Sequence, residues 1–132
     1  MKRIQFLRGW SIAVGSMDAV TGLLLIFAPG PVLGLLGIAT PSADSLVFLS
    51  WIGVFVMSVG LSYSMALGSR VRGETVWRFT AWVRILVAVF IAARVIDGSL
   101  APAWVMVGIS DGVVGVVQLV ILRKGGWREV QP

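Results

Sequence analysis

The stretch Trp77–Asp97, WRFTAWVRILVAVFIAARVID, decides how the rest of the chain is read. It is long and apolar enough to cross a bilayer, since about 20 residues rising ~1.5 Å each span a hydrocarbon core of roughly 30 Å. Yet it carries Arg84 well inside it and Arg94 near its far end. A guanidinium keeps its charge there, so it must reach the interface, meet water or find a carboxylate. The whole chain has only six Asp and Glu residues to offer.

Composition agrees with a membrane setting. The 132 residues are 58% hydrophobic and 13% charged, with a mean hydropathy of +0.95. Soluble domains carry about 25% charged residues, and a 14.1 kDa chain cannot bury so much apolar surface in one soluble core. A single transmembrane domain over 1–132 is the natural organisation. The net charge of +5 does not point to nucleic acid, because the basic residues form short clusters beside apolar segments with no polar surface to make a groove. Cysteine and histidine are absent. That excludes disulfides, thiolate chemistry, Cys/His metal sites, His-ligated haem and His-based acid/base catalysis. The start MKRIQFLRGW is basic, but the apolar segment behind it holds Asp18 and lacks a small-x-small cleavage site, so it reads as a retained first span.

Hydropathy predicts an all-α, polytopic protein with spans at 9–28, 44–67, 77–96 and 103–122. Pro29, Gly30 and Pro31 should end the first helix, leaving VLGLLGIA too short to span and suited to a short interfacial helix or to packing across the mouth of the bundle. Thr40 is the expected cap of the second span, with Pro41 in its first turn and Asp44 near the positive helix end. Gly53 and Gly60, with Ser50 and Ser64, offer small residues for close packing. Ser99 is the expected cap before Pro102 and the last span. Trp10, Trp51, Trp77, Trp104 and Trp127, together with Tyr63, fall near span boundaries and read as interfacial anchors. Trp82 lies inside the third span beside Arg84, where it lines a cavity or faces lipid.

Nine of the eleven basic residues lie in the N-terminal segment (Lys2, Arg3, Arg8), the 68–78 connection (Arg70, Arg72, Arg78) and the C-terminal tail (Arg123, Lys124, Arg128). The 29–44 and 97–101 connections have none. The positive-inside rule therefore predicts an antiparallel four-helix bundle with both termini in the cytoplasm. Depth then follows by counting. Asp18 lies ~13 Å from the cytoplasmic boundary, Arg84 ~10 Å and Asp111 ~16 Å. Three charges of both signs share one layer, and each is expected to face the bundle interior with Arg84 flanked by Asp18 and Asp111. The cluster reads equally as a packing device and as a functional site for a headgroup or an ion. Competition for one guanidinium would leave one carboxylate without a cation and free to take up a proton. Arg94 and Asp97, one turn apart at the outer boundary, form a surface ion pair, with an entry site as the alternative.

GSMDAVTG (15–22) and GISDGVVG (108–115) share the pattern Gly-x-x-Asp-x-Val-x-Gly, which suggests that the first and last spans pack together through their glycines. No hydrolase, P-loop, dinucleotide or metal motif is present. In hydropathy the chain resembles small four-helix bacterial inner-membrane proteins, and in size and layout the DoxX-like group. That resemblance implies a multi-pass protein of the bacterial inner membrane. The four-span size is also similar to small multidrug transporters, with Asp18 at the place of their first-helix acidic residue, although Arg84 and Asp111 depart from that pattern. The expected role is a non-enzymatic partner subunit or assembly module, or a binder of a lipid, quinone or other apolar ligand. Membrane lipids and further copies of the chain or a larger complex would be its partners. The alternative is a small proton-coupled transporter or channel using the mid-membrane carboxylates.

Overall fold

The computed structural model describes residues 2–128. The elements run α1 (Lys2–Phe27), α2 (Pro29–Leu35), α3 (Ala43–Ala66), α4 (Arg70–Ile96), a 3-10 turn (Pro102–Trp104) and α5 (Val105–Arg123). The described residues form an all-α bundle in which four helices, counting the 3-10 turn with α5, are long and apolar enough to cross a membrane. Large apolar side chains point outward, among them Phe48, Trp51 and Phe55 on α3 and Phe79, Leu86 and Phe90 on α4. Much of the helices' buried surface is small or polar, including Gly15, Gly22, Gly53, Gly60, Ser11, Thr80 and Gln118. Such an inside-out distribution suits a lipid solvent, where small residues let helices approach and large apolar ones face the acyl chains.

α1 and α4 begin at Lys2 and Arg70, ahead of the apolar windows that start at Gly9 and Trp77. Lys and Arg are good helix formers, so the helix continues past the apolar stretch. Ser69 caps α4, its Oγ accepting from Arg72 N at 3.4 Å. For α3 the cap is Ser42 rather than Thr40: its Oγ accepts from Ser45 N at 3.4 Å, and Pro41 stays outside the helix. Thr40 lies too far upstream to reach the free amides of a helix that starts at Ala43. Ser99 caps nothing either. Its hydroxyl turns back to Asp97 and to Arg94 O, while Pro102 opens the 3-10 turn behind Ala101. The proline that stops α1 starts α2, because a first-turn position has no amide to lose. α2 closes on Gly37 at φ +71°, with Ile38 N donating to Leu33 O at 2.9 Å, and buries Leu33 and Ile38.

The long helices associate as two close pairs, α1 with α3 and α4 with α5, joined along α3 and α4. Gly15 meets Gly60 and Tyr63, and Gly22 meets Gly53 and Met57. Gly108 faces Ile91 and Gly115 faces Ala81 and Ile85. The two Gly-x-x-Asp-x-Val-x-Gly segments therefore do not pack on each other: the first turns its glycines to α3, the second to α4. Each has a partner with a better-fitting surface, small residues on α3 and a shallow Ala/Ile face on α4.

Candidate functional site

The space between the two pairs is filled by side chains, an apolar cluster around Leu7, Val76 and Trp77 together with buried polar groups. Arg84 projects into it from α4. Its Nη2 donates to Asp18 Oδ2 on α1, and its Nη1 donates to Asp111 Oδ1 on α5. The side chains of Arg84 and Asp18 are 4% and 10% exposed, that of Asp111 23%. Competition between the aspartates does not leave one of them unpaired. A guanidinium is a planar fork with five N–H donors, enough to serve two carboxylates through separate nitrogens. The third nitrogen, Nε, is buried without a hydrogen-bond partner among the described residues.

Toward the end of the bundle where Lys2, Arg70 and Arg123 lie, a second polar layer follows. The Tyr63 hydroxyl donates to Gln118 Oε1 at 3.1 Å, and Gln118 Nε2 donates to Thr80 Oγ1 at 3.4 Å. Thr80 in turn donates to Val76 O at 2.8 Å. All three residues are fully buried. A third layer joins α1 to α4 through Trp77 Nε1, which donates to Ser11 Oγ at 2.8 Å, while the Ser11 hydroxyl donates to Leu7 O. Trp77 packs between Trp10, with centroids 6.3 Å apart, and Trp127, at 5.6 Å and nearly perpendicular.

Several expected positions move. Trp77 and Trp127 are not interfacial anchors: they are 0% and 1% exposed and form part of the core. Tyr63 is likewise interior. Each sits near a span end, but on the helix face that turns inward, and α4 extends a further turn or more beyond Trp77. Trp51 lies on the outside against Phe55. Trp82 is 54% exposed whereas Arg84 is 3% exposed, so the two side chains point to opposite sides of α4. Residues two apart on a helix lie about 200° apart, so Arg84 facing inward turns Trp82 outward. Arg94 and Asp97 pair at 3.1 Å, with Arg94 over the Phe90 ring at 5.5 Å. Asp97 accepts from Ser99 Oγ and from Ser99 N, and these bonds, with Arg94, hold its carboxyl below the ordinary aspartate value.

Ser11, Thr80, Gln118 and Tyr63 are the site residues that reading by charge passes over. For Ser11 and Gln118 the spacing carries the signal. Ser11 and Asp18, Trp77 and Arg84, and Asp111 and Gln118 are each seven residues apart, two turns along one face.

An apolar groove of about 170 Å³ lies between α4 and α5, lined by Ala88, Ile91, Ala92, Val105, Gly108 and Ile109. It begins one turn beyond the Arg84–Asp111 pair, away from the polar layers. Among the described residues no group of three or more His, Cys, Asp or Glu is placed to hold a metal ion. Chemically, the arrangement can hold charge inside the bundle. Both carboxylates are engaged by the guanidinium.

Family models, curated proteins and solved structures yield no match to this chain. The functional reading therefore rests on the site itself.

Proposed function

We propose that the chain is a small multi-pass membrane transporter or channel in which Asp18, Arg84 and Asp111 form the site for a proton or small monovalent cation. The observation that carries this reading is a charge count. Two aspartates share one arginine inside the bundle, leaving one negative charge uncompensated. In a low-dielectric interior such a charge is expensive until a proton or cation neutralises it. The layers of Tyr63, Gln118, Thr80 and Ser11 extend polar groups from this site toward one end of the bundle, and Arg84 Nε offers a further donor to water.

In this reading neighbouring helices alternate in direction, as the pairing of Gly15 with Gly60 and Gly22 with Gly53 supports. Both termini and the 68–78 connection lie on the cytoplasmic face of a bacterial inner membrane, in keeping with their nine basic residues. A second reading, a subunit that binds a lipid or other apolar molecule, draws support from the groove between α4 and α5.

The decisive experiment is reconstitution into liposomes with an entrapped pH dye and an imposed potassium diffusion potential. Wild-type protein is expected to carry proton flux above protein-free vesicles, and D18N and D111N to lose it while remaining folded. Absence of flux for proton, sodium and potassium alike would remove the transport reading. Co-purified lipid seated at Ala88 and Gly108 would then favour the second.

A further inference from the structure

We propose that the C-terminal turn carrying Trp127 is a gate over the polar interior, a role that rests on the transport reading of the Asp18–Arg84–Asp111 site. α5 ends in a turn built on Gly125, whose φ of +69° few side chains tolerate. Gly126 N donates to Ile121 O at 2.9 Å and Gly125 N to Leu122 O at 3.0 Å, so the chain reverses sharply. The reversal drops the Trp127 indole onto the end of the bundle. There it stands edge-on to Trp77 and lies against Gly73, where an added Cβ would run into the ring. Trp77 is itself hydrogen-bonded to Ser11, and the Tyr63–Gln118–Thr80 layer and the ion cluster follow. Trp127, itself only 1% exposed, is thus the layer of this series farthest from Arg84.

The way Trp127 is held distinguishes a gate from a fixed cap. It is held by apolar contact alone, ring against Trp77 and Gly73 within a cluster that includes Leu7 and Val76, and among the described residues its Nε1 is buried without an acceptor, as is Trp10 Nε1 on the other side of Trp77. A buried unpaired donor opposes the closed position, and swinging the turn outward returns it to water. Apolar contact closes the gate while an unpaired donor biases it to open, so the two positions lie closer in free energy than for a fully satisfied side chain. The turn is tied to α1 through Arg3 Nη2, which donates to Lys124 O at 3.4 Å at the surface.

The natural chain has no cysteine, so Ser11→Cys supplies a single thiol beneath this plug. Proteoliposomes would be treated with a charged, membrane-impermeant maleimide present on both faces, which removes any dependence on orientation. S11C alone is expected to label slowly. S11C with W127A should label about tenfold faster or more, a change of ~1.4 kcal/mol in the opening equilibrium. S11C with G73A, which keeps Trp127 but denies its ring the glycine surface, should also label faster. Equal rates in all three, with each protein monodisperse and equally helical, overturn the gate. Where W127A does not hold its fold, G73A decides. Labelling that separates as expected while vesicles carry no ion flux leaves the gate standing and removes the transport reading instead.

Discussion

The two helix pairs are built on different principles. In α1–α3 both helices contribute glycines, and the backbones touch: a Cβ on Gly60 would lie 2.6 Å from Gly15 O, and one on Gly22 would lie 2.6 Å from Gly53 O. In α4–α5 the glycines belong to α5 alone and face mostly side chains, although a Cβ on Gly115 would also lie 3.1 Å from Ala81 O. A Cβ on Gly108 would meet Ile91 Cγ2 at 3.1 Å, and one on Gly112 would meet Ala88 Cβ at 3.5 Å. The first pair is locked by atoms that cannot move aside, whereas the second is cushioned by side chains that can and keeps an open groove. Each pair contributes one aspartate to Arg84, Asp18 from the locked side and Asp111 from the cushioned side, and the more exposed carboxylate is the one on the cushioned pair. Under the proposed transport reading, the movement that admits an ion is therefore to be sought in α5.

Removing the residue that unites the pairs should have the largest effect. Arg84→Ala leaves two interior carboxylates without a cation and should destabilise the bundle by about 3–5 kcal/mol, read from denaturant unfolding in detergent. The D18N/D111N double variant strands the guanidinium and should cost as much, while either single variant leaves one pair intact and should cost under ~3 kcal/mol. Additive single and double effects would mean that the three groups do not act as one unit. Next come the locked glycines. G22A and G60A should each destabilise by about 1–3 kcal/mol, because the methyl group meets backbone. G112A should go the other way, gaining up to ~1 kcal/mol of helix propensity with no clash. The same sign for all three would erase the distinction between the pairs.

The smallest effect belongs to the exposed turn after α4. Because the Ser99 hydrogen bonds hold the Asp97 carboxyl low in the folded protein, its contribution is complete above the ordinary aspartate value of about 3.9. It fades as pH falls through the lower folded-state value. D97N should remove that acid-side slope in thermal unfolding curves recorded between neutral and strongly acidic pH, by lowering stability slightly at neutral pH and leaving the strongly acidic end unchanged.

How much of this is legible in the sequence depends on which physical demand is strong. A charge in hydrocarbon must be answered, so depth counting alone groups Asp18, Arg84 and Asp111, and the ion pairs join the same residues. Uncharged polar groups make no comparable demand. Thr80 and Ser11 return their hydroxyls to the backbone of their own helices, and nothing in their identity says that they also serve a neighbour. Tryptophan misleads for the opposite reason. An indole near a span end suits the headgroup region, and whether Trp77 faces it or the bundle is decided by helix phase, which is fixed by Arg84 one heptad away. Four long apolar helices follow from hydropathy, but which helix pairs with which depends on glycine faces on both partners, and the repeated Asp-containing pattern in α1 and α5 conceals that their glycines look toward different neighbours.

The seven-residue interval between Ser11 and Asp18 is matched by the one between Trp77 and Arg84, so two rungs of contact between α1 and α4 share a single sequence offset. The rungs lie ~10 Å apart along the axis, and the same two-turn step separates Gly15 from Gly22, Gly53 from Gly60 and Asp111 from Gln118. A repeat of seven winds helices around one another with a left-handed coil. It also makes the bundle intolerant of slippage: one residue inserted between Ser11 and Asp18 turns one rung ~100° away from its partner while the other stays in place. Such an insertion would report, by which rung the protein gives up, whether the indole or the ion pair governs how these helices are aligned.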